Sequence, residues 1–342
     1  MYSSIGISIP LAQGLFINQR MADLCTAKLQ LSMSSSERQI QVVDLLFKAS
    51  AAYFNWLKCY NEAALYEEYQ RFAQTRFQAV VPSIELGDKP AIDSIEAGIV
   101  LKNRKLNVED ANLKLNNAKL ELSVFLWIET TPVELQDNIV PDAEIQRSIF
   151  ETLNLDEVFN LDESVSDNPR IQLLQGRLAQ LEIERKLKSN MLLPDISLNY
   201  NFISEPAVFN DYRLNDYKAG VSFNLPIFLR KERAGLNIAR YKIQDLQLNI
   251  DVEKLQLKNR LSAQQNEITS LSKQIALIND LVDDYSAMLQ AEERLFQYGE
   301  SSLFLINARE NNLVSSRLSQ ITLVNRFLYS HAELYRTLAK PQ

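Results

Sequence analysis

From Gln13 to about Val81 polar and apolar residues alternate in blocks with no interior proline before Pro82. Val42, Leu45, Leu46, Ala49, Ala52, Tyr53, Trp56, Leu57, Tyr60, Ala63 and Ala64 recur at helical spacing and predict one continuous helix. A second such segment runs from about Lys231 to Tyr298. Its centre carries Ile268, Leu271, Ile275, Ile278, Val282, Tyr285 and Leu289 in the 3-4 alternation of a coiled-coil seam. Each segment holds about 68 residues, which as α-helix spans ~100 Å, far beyond the ordinary globular length. Each ends in a short turn, IELGDKPA (Ile84 to Ala91) and QYGESS (Gln297 to Ser302). A helix of about half the length then returns, from Ile92 to about Trp127 and from Leu303 to about Leu338. Leu106, Leu113 and Leu120 give the first return helix a seven-residue seam. Pro82 predicts a kink or an end to the first long helix.

The remaining pattern has period two. In LPDISLNYNF the apolar Ile196, Leu198, Tyr200 and Phe202 alternate with Asp195, Ser197, Asn199 and Asn201. In YKAGVSFNL, Tyr217, Ala219, Val221, Phe223 and Leu225 alternate with Lys218, Gly220, Ser222 and Asn224, and in IGISIPL, Ile5, Ile7, Ile9 and Leu11 share one face. Alternation over about ten residues suits a transmembrane barrel strand, apolar toward lipid and polar toward a watery lumen. In isolation such a segment more often forms a half-buried strand of a soluble sheet. Here the strands are too few for a sandwich, and they lie between helices too long to cover them. Ile196, Leu198, Tyr200, Phe202, Tyr217, Val221 and Phe223 are therefore the expected lipid-facing residues.

The order strand, long helix, glycine turn, half-length helix occurs twice. GISIPLAQGLFINQR (Gly6 to Arg20) opens one copy as GVSFNLPIFLRKER (Gly220 to Arg233) opens the other. The expected organisation is a strand over 1–11, a helical hairpin over 12–127, an acidic segment over 128–167, a helix over 168–191, a strand pair over 192–227 and a second hairpin over 228–342.

Composition sharpens this picture mainly by exclusion. Eight glycines and ten prolines in 342 residues are too few for an all-β or Rossmann protein. A formal net charge of −7 leaves no broad surface for nucleic acid. No apolar run approaches the ~20 residues of a spanning helix. Cys25 and Cys59 fall in one predicted helix about 50 Å apart and cannot pair. The single histidine, His331, stands in no ligand-spaced cluster, so no metal or cofactor is expected. Gly299 to Ser302 (GESS) lacks the flanking glycine and preceding strand of a nucleophile elbow. With no acid–base constellation the chain does not read as an enzyme. From Ile128 to Asp167 eleven acidic residues face one basic residue, Arg147, which reads as a solvated belt, with cation binding as the lesser alternative.

PLAQGLFINQR and NLPIFLRKER at the strand-to-helix junctions, GDKPAIDSIEA at the first turn and YGESSLFLINARE at the second carry a resemblance. In that order and spacing the chain resembles the outer-membrane efflux protein family (TolC-like, outer-membrane factor), in the wording of its Bacteroidetes-type branch. The resemblance implies a mainly α protein with membrane β: long coiled-coil hairpins forming a periplasmic tunnel beneath a trimeric twelve-stranded β-barrel in the outer membrane. It implies a homotrimer surrounded by outer-membrane lipid, a periplasmic adaptor (membrane fusion) protein, and an inner-membrane RND or ABC transporter feeding a passive exit duct for efflux or type I-like secretion. The alternative is a soluble coiled-coil scaffold, for which alternating strands have no use. The family's repeat opens with a helix and a strand that the first copy here lacks, so a truncated N-terminus is expected. The family pairs an Asp six positions after the first turn glycine with an Arg two positions after the second. Asp93 keeps the first place, and Ser301 stands in the second. The pore-ringing aspartates are replaced by Leu305 and Ala308. The expected tip and gate residues are thus Gly87, Asp88, Lys89, Asp93, Gly299, Glu300, Ser301, Asn307 and Glu310, with both turns at the tunnel end farthest from the strands.

Overall fold

A computed structural model of the chain describes residues 3–85, 90–136, 138–142, 144–153, 161–204, 216–225 and 227–339. The expected Gly87, Asp88 and Lys89 lie outside the described residues. In chain order the elements are β1 (Ser3–Pro10), α1 (Gln19–Glu85), α2 (Ile92–Ser123), the two-residue strands β2 (Trp127–Ile128) and β3 (Thr131–Pro132), α3 (Ile145–Thr152), α4 (Leu161–Ser166), α5 (Pro169–Asn190), β4 (Asp195–Ser204), β5 (Tyr217–Asn224), α6 (Arg230–Gln297) and α7 (Leu303–Leu338). They form two compact units, Met1–Gln41 with Leu161–Lys258 and Val42–Asn160 with Asn259–Gln342.

The first unit is built on an antiparallel sheet of order β1-β4-β5. Ile5 lies opposite Phe202, Ile7 opposite Tyr200 and Ile9 opposite Leu198; on the other side Ile196 meets Phe223 and Leu198 meets Val221. Residues directly opposite share a face, so the apolar positions of all three strands fall together and the polar ones fall together. Gly6 faces Asn201, where a Cβ would lie 2.6 Å from the Tyr200 carbonyl oxygen. In the same unit, α5 opens with Asn168 as N-cap, its side chain accepting from the Arg170 N–H, and Pro169 in the first turn. Against α1, Gly176 leaves room for Met33; a Cβ there would come within 2.6 Å of the Met33 Cγ.

The second unit is a helical assembly with separate apolar clusters on two sides of α1. One side carries Phe47, Phe54 and Leu57 against Leu271 and Ile275 of α6 and Phe327, Leu328 and Ala332 of α7. Another carries Trp56 and Cys59 against Ala118 and Leu122 of α2. That double burial explains why the expected stripe is wider than one face: Val43 and Phe47 are buried, whereas Val42, Leu45 and Leu46 remain exposed. On α6 the expected seam is the packed face, with Leu271, Ile275, Val282 and Leu289 buried.

Three local differences from the sequence pattern have physical causes. Pro82 lies inside α1, which continues to Glu85; so near the C-terminus the ring removes one hydrogen bond from a single remaining turn. On α2 the face turned to the rest of the chain is Ala97, Leu101, Arg104, Val108, Ala111, Ala118 and Leu122, its three alanines allowing close approach. The heptad Leu106, Leu113 and Leu120 points away from it, 68%, 60% and 62% exposed, and Ile92 and Ile99 extend the same exposed stripe. The acidic segment is not wholly a solvated belt, because α3 sends Ile145 and Ile149 into the core beside Phe54 and Phe327. Its i,i+4 isoleucines are the signal that the surrounding carboxylates obscure.

Candidate functional site

Two places combine the expected residues with a distinctive geometry. The first is the sheet. One face carries Ile5, Ile7, Ile9, Leu198, Tyr200, Tyr217, Val221 and Phe223, all exposed, with Val221 at 67% and Phe223 at 64%. Ile196 and Phe202 are half-buried on the same face. Tyr200 stacks on Tyr217 with centroids 5.2 Å apart and meets Phe202 edge-on at 5.1 Å. The opposite face is polar: Ser197 and Ser222 hydrogen-bond at 2.7 Å, and the Asn199 amide donates to the Ser222 Oγ at 3.2 Å. An exposed apolar face this large is not stable in water. Among the described residues β1 and β5 each pair on one side only, which leaves two edges that need further strands.

The second place is the turn between α6 and α7. Gly299 adopts φ +78°, a left-handed conformation that glycine takes without steric penalty. Ser302 caps α7, its side chain accepting from the Leu305 N–H. Ser301 Oγ donates to the Glu292 Oε1 at 2.5 Å, and Arg309 Nε donates to the other oxygen of Glu292 at 3.4 Å. Ser301 thus ties the turn back onto α6. Glu300 is exposed, and Asp93 is half-buried in the first turn of α2, where the helix dipole favours a carboxylate.

Asn307 and Glu310 are placed differently from the expectation that they line a constriction. Glu310 is 1% exposed, held by Arg76 of α1 at 2.6 Å and Arg104 of α2 at 3.0 Å. Arg104 also donates to Asn311 at 2.7 Å. Asn307 accepts from Arg76 at 3.1 Å and donates to Glu96 at 3.0 Å. The result is a buried polar knot joining α1, α2 and α7, with each carboxylate oxygen of Glu310 answered by a guanidinium. Beside it, Arg104 and Arg317 lie over the ring of Tyr69 at 6.0 and 5.9 Å, and burial raises the Tyr69 phenol above its usual pKa. Sequence reasoning missed Arg76 and Arg104, because a lone arginine on a long helix reads as surface.

Among the described residues no group of three or more His, Cys, Asp or Glu side chains is placed to hold a metal ion. None of the described helices is long and apolar enough to cross a membrane.

Paired long-helix hairpins with an antiparallel sheet, apolar on one face and polar on the other, define the architecture of an outer-membrane channel-tunnel subunit. A family model described as outer membrane efflux protein matches residues 160–340, more than half of the chain, which therefore belongs to that family. Solved structures share the fold. CusC is 17% identical with a TM-score of 0.79, over 99% of this chain and 82% of that one. The open state of the Neisseria gonorrhoeae MtrE outer membrane channel is 15% identical with a TM-score of 0.73, over 99% and 80%. VceC, an outer membrane protein of Vibrio cholerae, is 11% identical with a TM-score of 0.74, over 99% and 86%. At these identities the likeness establishes the fold. No curated protein matches the sequence significantly. Through its family the chain is an outer-membrane efflux channel subunit extending into the periplasm, and members of the family are channels, not enzymes. Such channels are trimers that work with adaptor proteins and inner-membrane transporters.

Proposed function

We propose that the chain forms a passive exit duct fed by a periplasmic adaptor and an inner-membrane transporter of the RND or ABC type. The observation that carries this reading is the two-faced sheet with open edges, which suits a barrel wall shared among subunits and suits no soluble role. Ile196, Leu198, Tyr200, Phe202, Tyr217, Val221 and Phe223 meet lipid; Ser197, Asn199 and Ser222 line water. At the helical turns Asp93 and Glu300 line the constriction, where acids from three subunits repel one another and favour cations. Glu310 and Asn307 act behind them, fixing α7 to α1 and α2 through Arg76 and Arg104.

The protein should fractionate with the outer membrane as a heat-resistant trimer. Recovery as a monodisperse monomer without detergent would overturn the reading. A photo-crosslinking residue at position 300 should capture an adaptor in cells, and the transporter encoded beside that adaptor identifies the partner class. Crosslinks to no periplasmic protein would remove the turn from the docking surface.

A further inference from the structure

We infer that the junction between the strands and the helices is a headgroup-binding collar for anionic phospholipid. The inference rests on the sheet's apolar face being lipid-facing, and it adds a charged ligand site at the lower rim of that face. Leu11, whose N–H donates to the Ile196 carbonyl at 2.7 Å, carries the apolar alternation one step past β1, as Leu225 does past β5. Both connections then present large apolar side chains to solvent: Phe16 is 79% exposed, Ile227 88% and Phe228 73%.

Immediately beyond come cations. Arg20 lies in the first turn of α1, and Arg230, Lys231 and Arg233 occupy the first turn of α6, all exposed. The Arg230 guanidinium sits 5.4 Å from the centre of the Phe228 ring, joining the apolar and charged parts of the surface. Lys188 belongs to the same rim. Its Cδ lies 3.6 Å from where a Cβ of Gly235 would stand, and its helix is tied to the first connection by the Gly14 N–H on Asn190 Oδ1 at 2.7 Å.

Charge argues for an anionic occupant. The chain as a whole carries −7, yet this rim gathers five basic side chains. Nearby acids are few and partly engaged: Asp23 accepts from Gln19 at 2.8 Å, Glu232 is half-buried, and Asp195 lies on the polar face of the sheet. Three cations in the first turn of a helix also oppose its dipole, an arrangement that a bound phosphate relieves. Exposed aromatic and aliphatic groups directly beside cations match a bilayer interface, where acyl chains and anionic headgroups adjoin. A free anion would satisfy the cations but leave Phe16, Ile227 and Phe228 in water.

The test uses the trimer purified in mild detergent and exposed to equimolar phosphatidylglycerol and phosphatidylcholine, with retained lipid read by native mass spectrometry. Wild type should retain the anionic lipid over the zwitterionic one by roughly five- to ten-fold, a preference that falls as salt is raised. R230Q/K231Q/R233Q should lose the preference while still retaining lipid, R230K/R233K should keep it, and F16S/F228S should retain less of both lipids. Heat resistance of the trimer reports folding of each variant. Equal retention of both lipids by wild type overturns the collar, as does an unchanged preference in the glutamine variant. Displacement of the anionic lipid by excess inorganic phosphate would assign a free-anion site instead. If wild type retains no lipid of either kind, the lipid-facing reading of the sheet fails, an outcome distinct from loss of headgroup preference.

Discussion

Glu310 shows how one residue changes meaning once its surroundings are known. As a carboxylate a few positions beyond a glycine turn it reads as a pore-lining acid; enclosed by Arg76 and Arg104 it is a strut. Removing one member of a buried charge set leaves the others uncompensated, so Glu310→Ala should destabilise the chain by about 3–5 kcal/mol, measured by denaturant unfolding, with Glu310→Gln intermediate. An unchanged midpoint for the alanine variant would mean the knot contributes nothing. His331 gives a second residue-scale expectation. It is fully buried, its Nδ1 hydrogen-bonded to the Phe327 carbonyl at 2.8 Å, and burial lowers its pKa from the ordinary 6.5. The unfolded chain therefore takes up a proton that the folded chain resists. His331 contributes its full share of stability above pH 6.5, and the share is lost as pH falls through that value toward the lower folded pKa. Unfolding of wild type and His331→Gln followed from pH 8 down to pH 5 should diverge in slope below about 6.5; parallel curves would exclude the histidine. On the sheet, neighbouring positions should respond oppositely. Val221→Lys should weaken membrane assembly by about 2–4 kcal/mol near the bilayer midplane, whereas Ser222→Lys should assemble and alter ion selectivity.

At the scale of elements, α2 is the most informative. Its alanines and Leu101 and Leu122 face the rest of the chain, leaving Leu106, Leu113 and Leu120 exposed at heptad spacing. In a family of trimers, a seam the chain does not use itself is available to a neighbouring subunit. The triple variant L106N/L113N/L120N should keep its helical content by circular dichroism and lose the heat-resistant trimer band. Loss of helicity together with the trimer would instead place these leucines in the subunit's own core. The turn after α6 offers a different lesson. Ser301 donates to Glu292 of α6, so this turn is secured within one hairpin.

At the scale of the whole molecule, the proposed trimer brings the turns and charges of three copies together. On the proposed reading Asp93 and Glu300 face a shared opening, and replacing both with alanine should lower cation selectivity in planar-bilayer recordings and loosen the closed state. Unchanged conductance and selectivity would assign the constriction to other residues. The net charge of −7 per chain adds a longer-range bias in the same direction, one that salt screens.

Periodicity in the chain determines the long helices and the alternating strands directly, because spacing of 3.6 and of 2 puts side chains on one face without reference to anything distant. The α6 seam and the register-matched faces of β1, β4 and β5 follow from that rule. What periodicity cannot say is which of several apolar faces meets which partner. Only tertiary packing turned Val43 and Phe47 inward in place of Val42 and Leu46, left the α2 leucines outside, and drew Ile145 and Ile149 out of an acidic stretch into the core. Only packing brought Arg76, Arg104 and Glu310, separated by up to 234 positions, within hydrogen-bond reach. A charge's role depends on the dielectric and the counter-charges around it, and those come from distant parts of the chain.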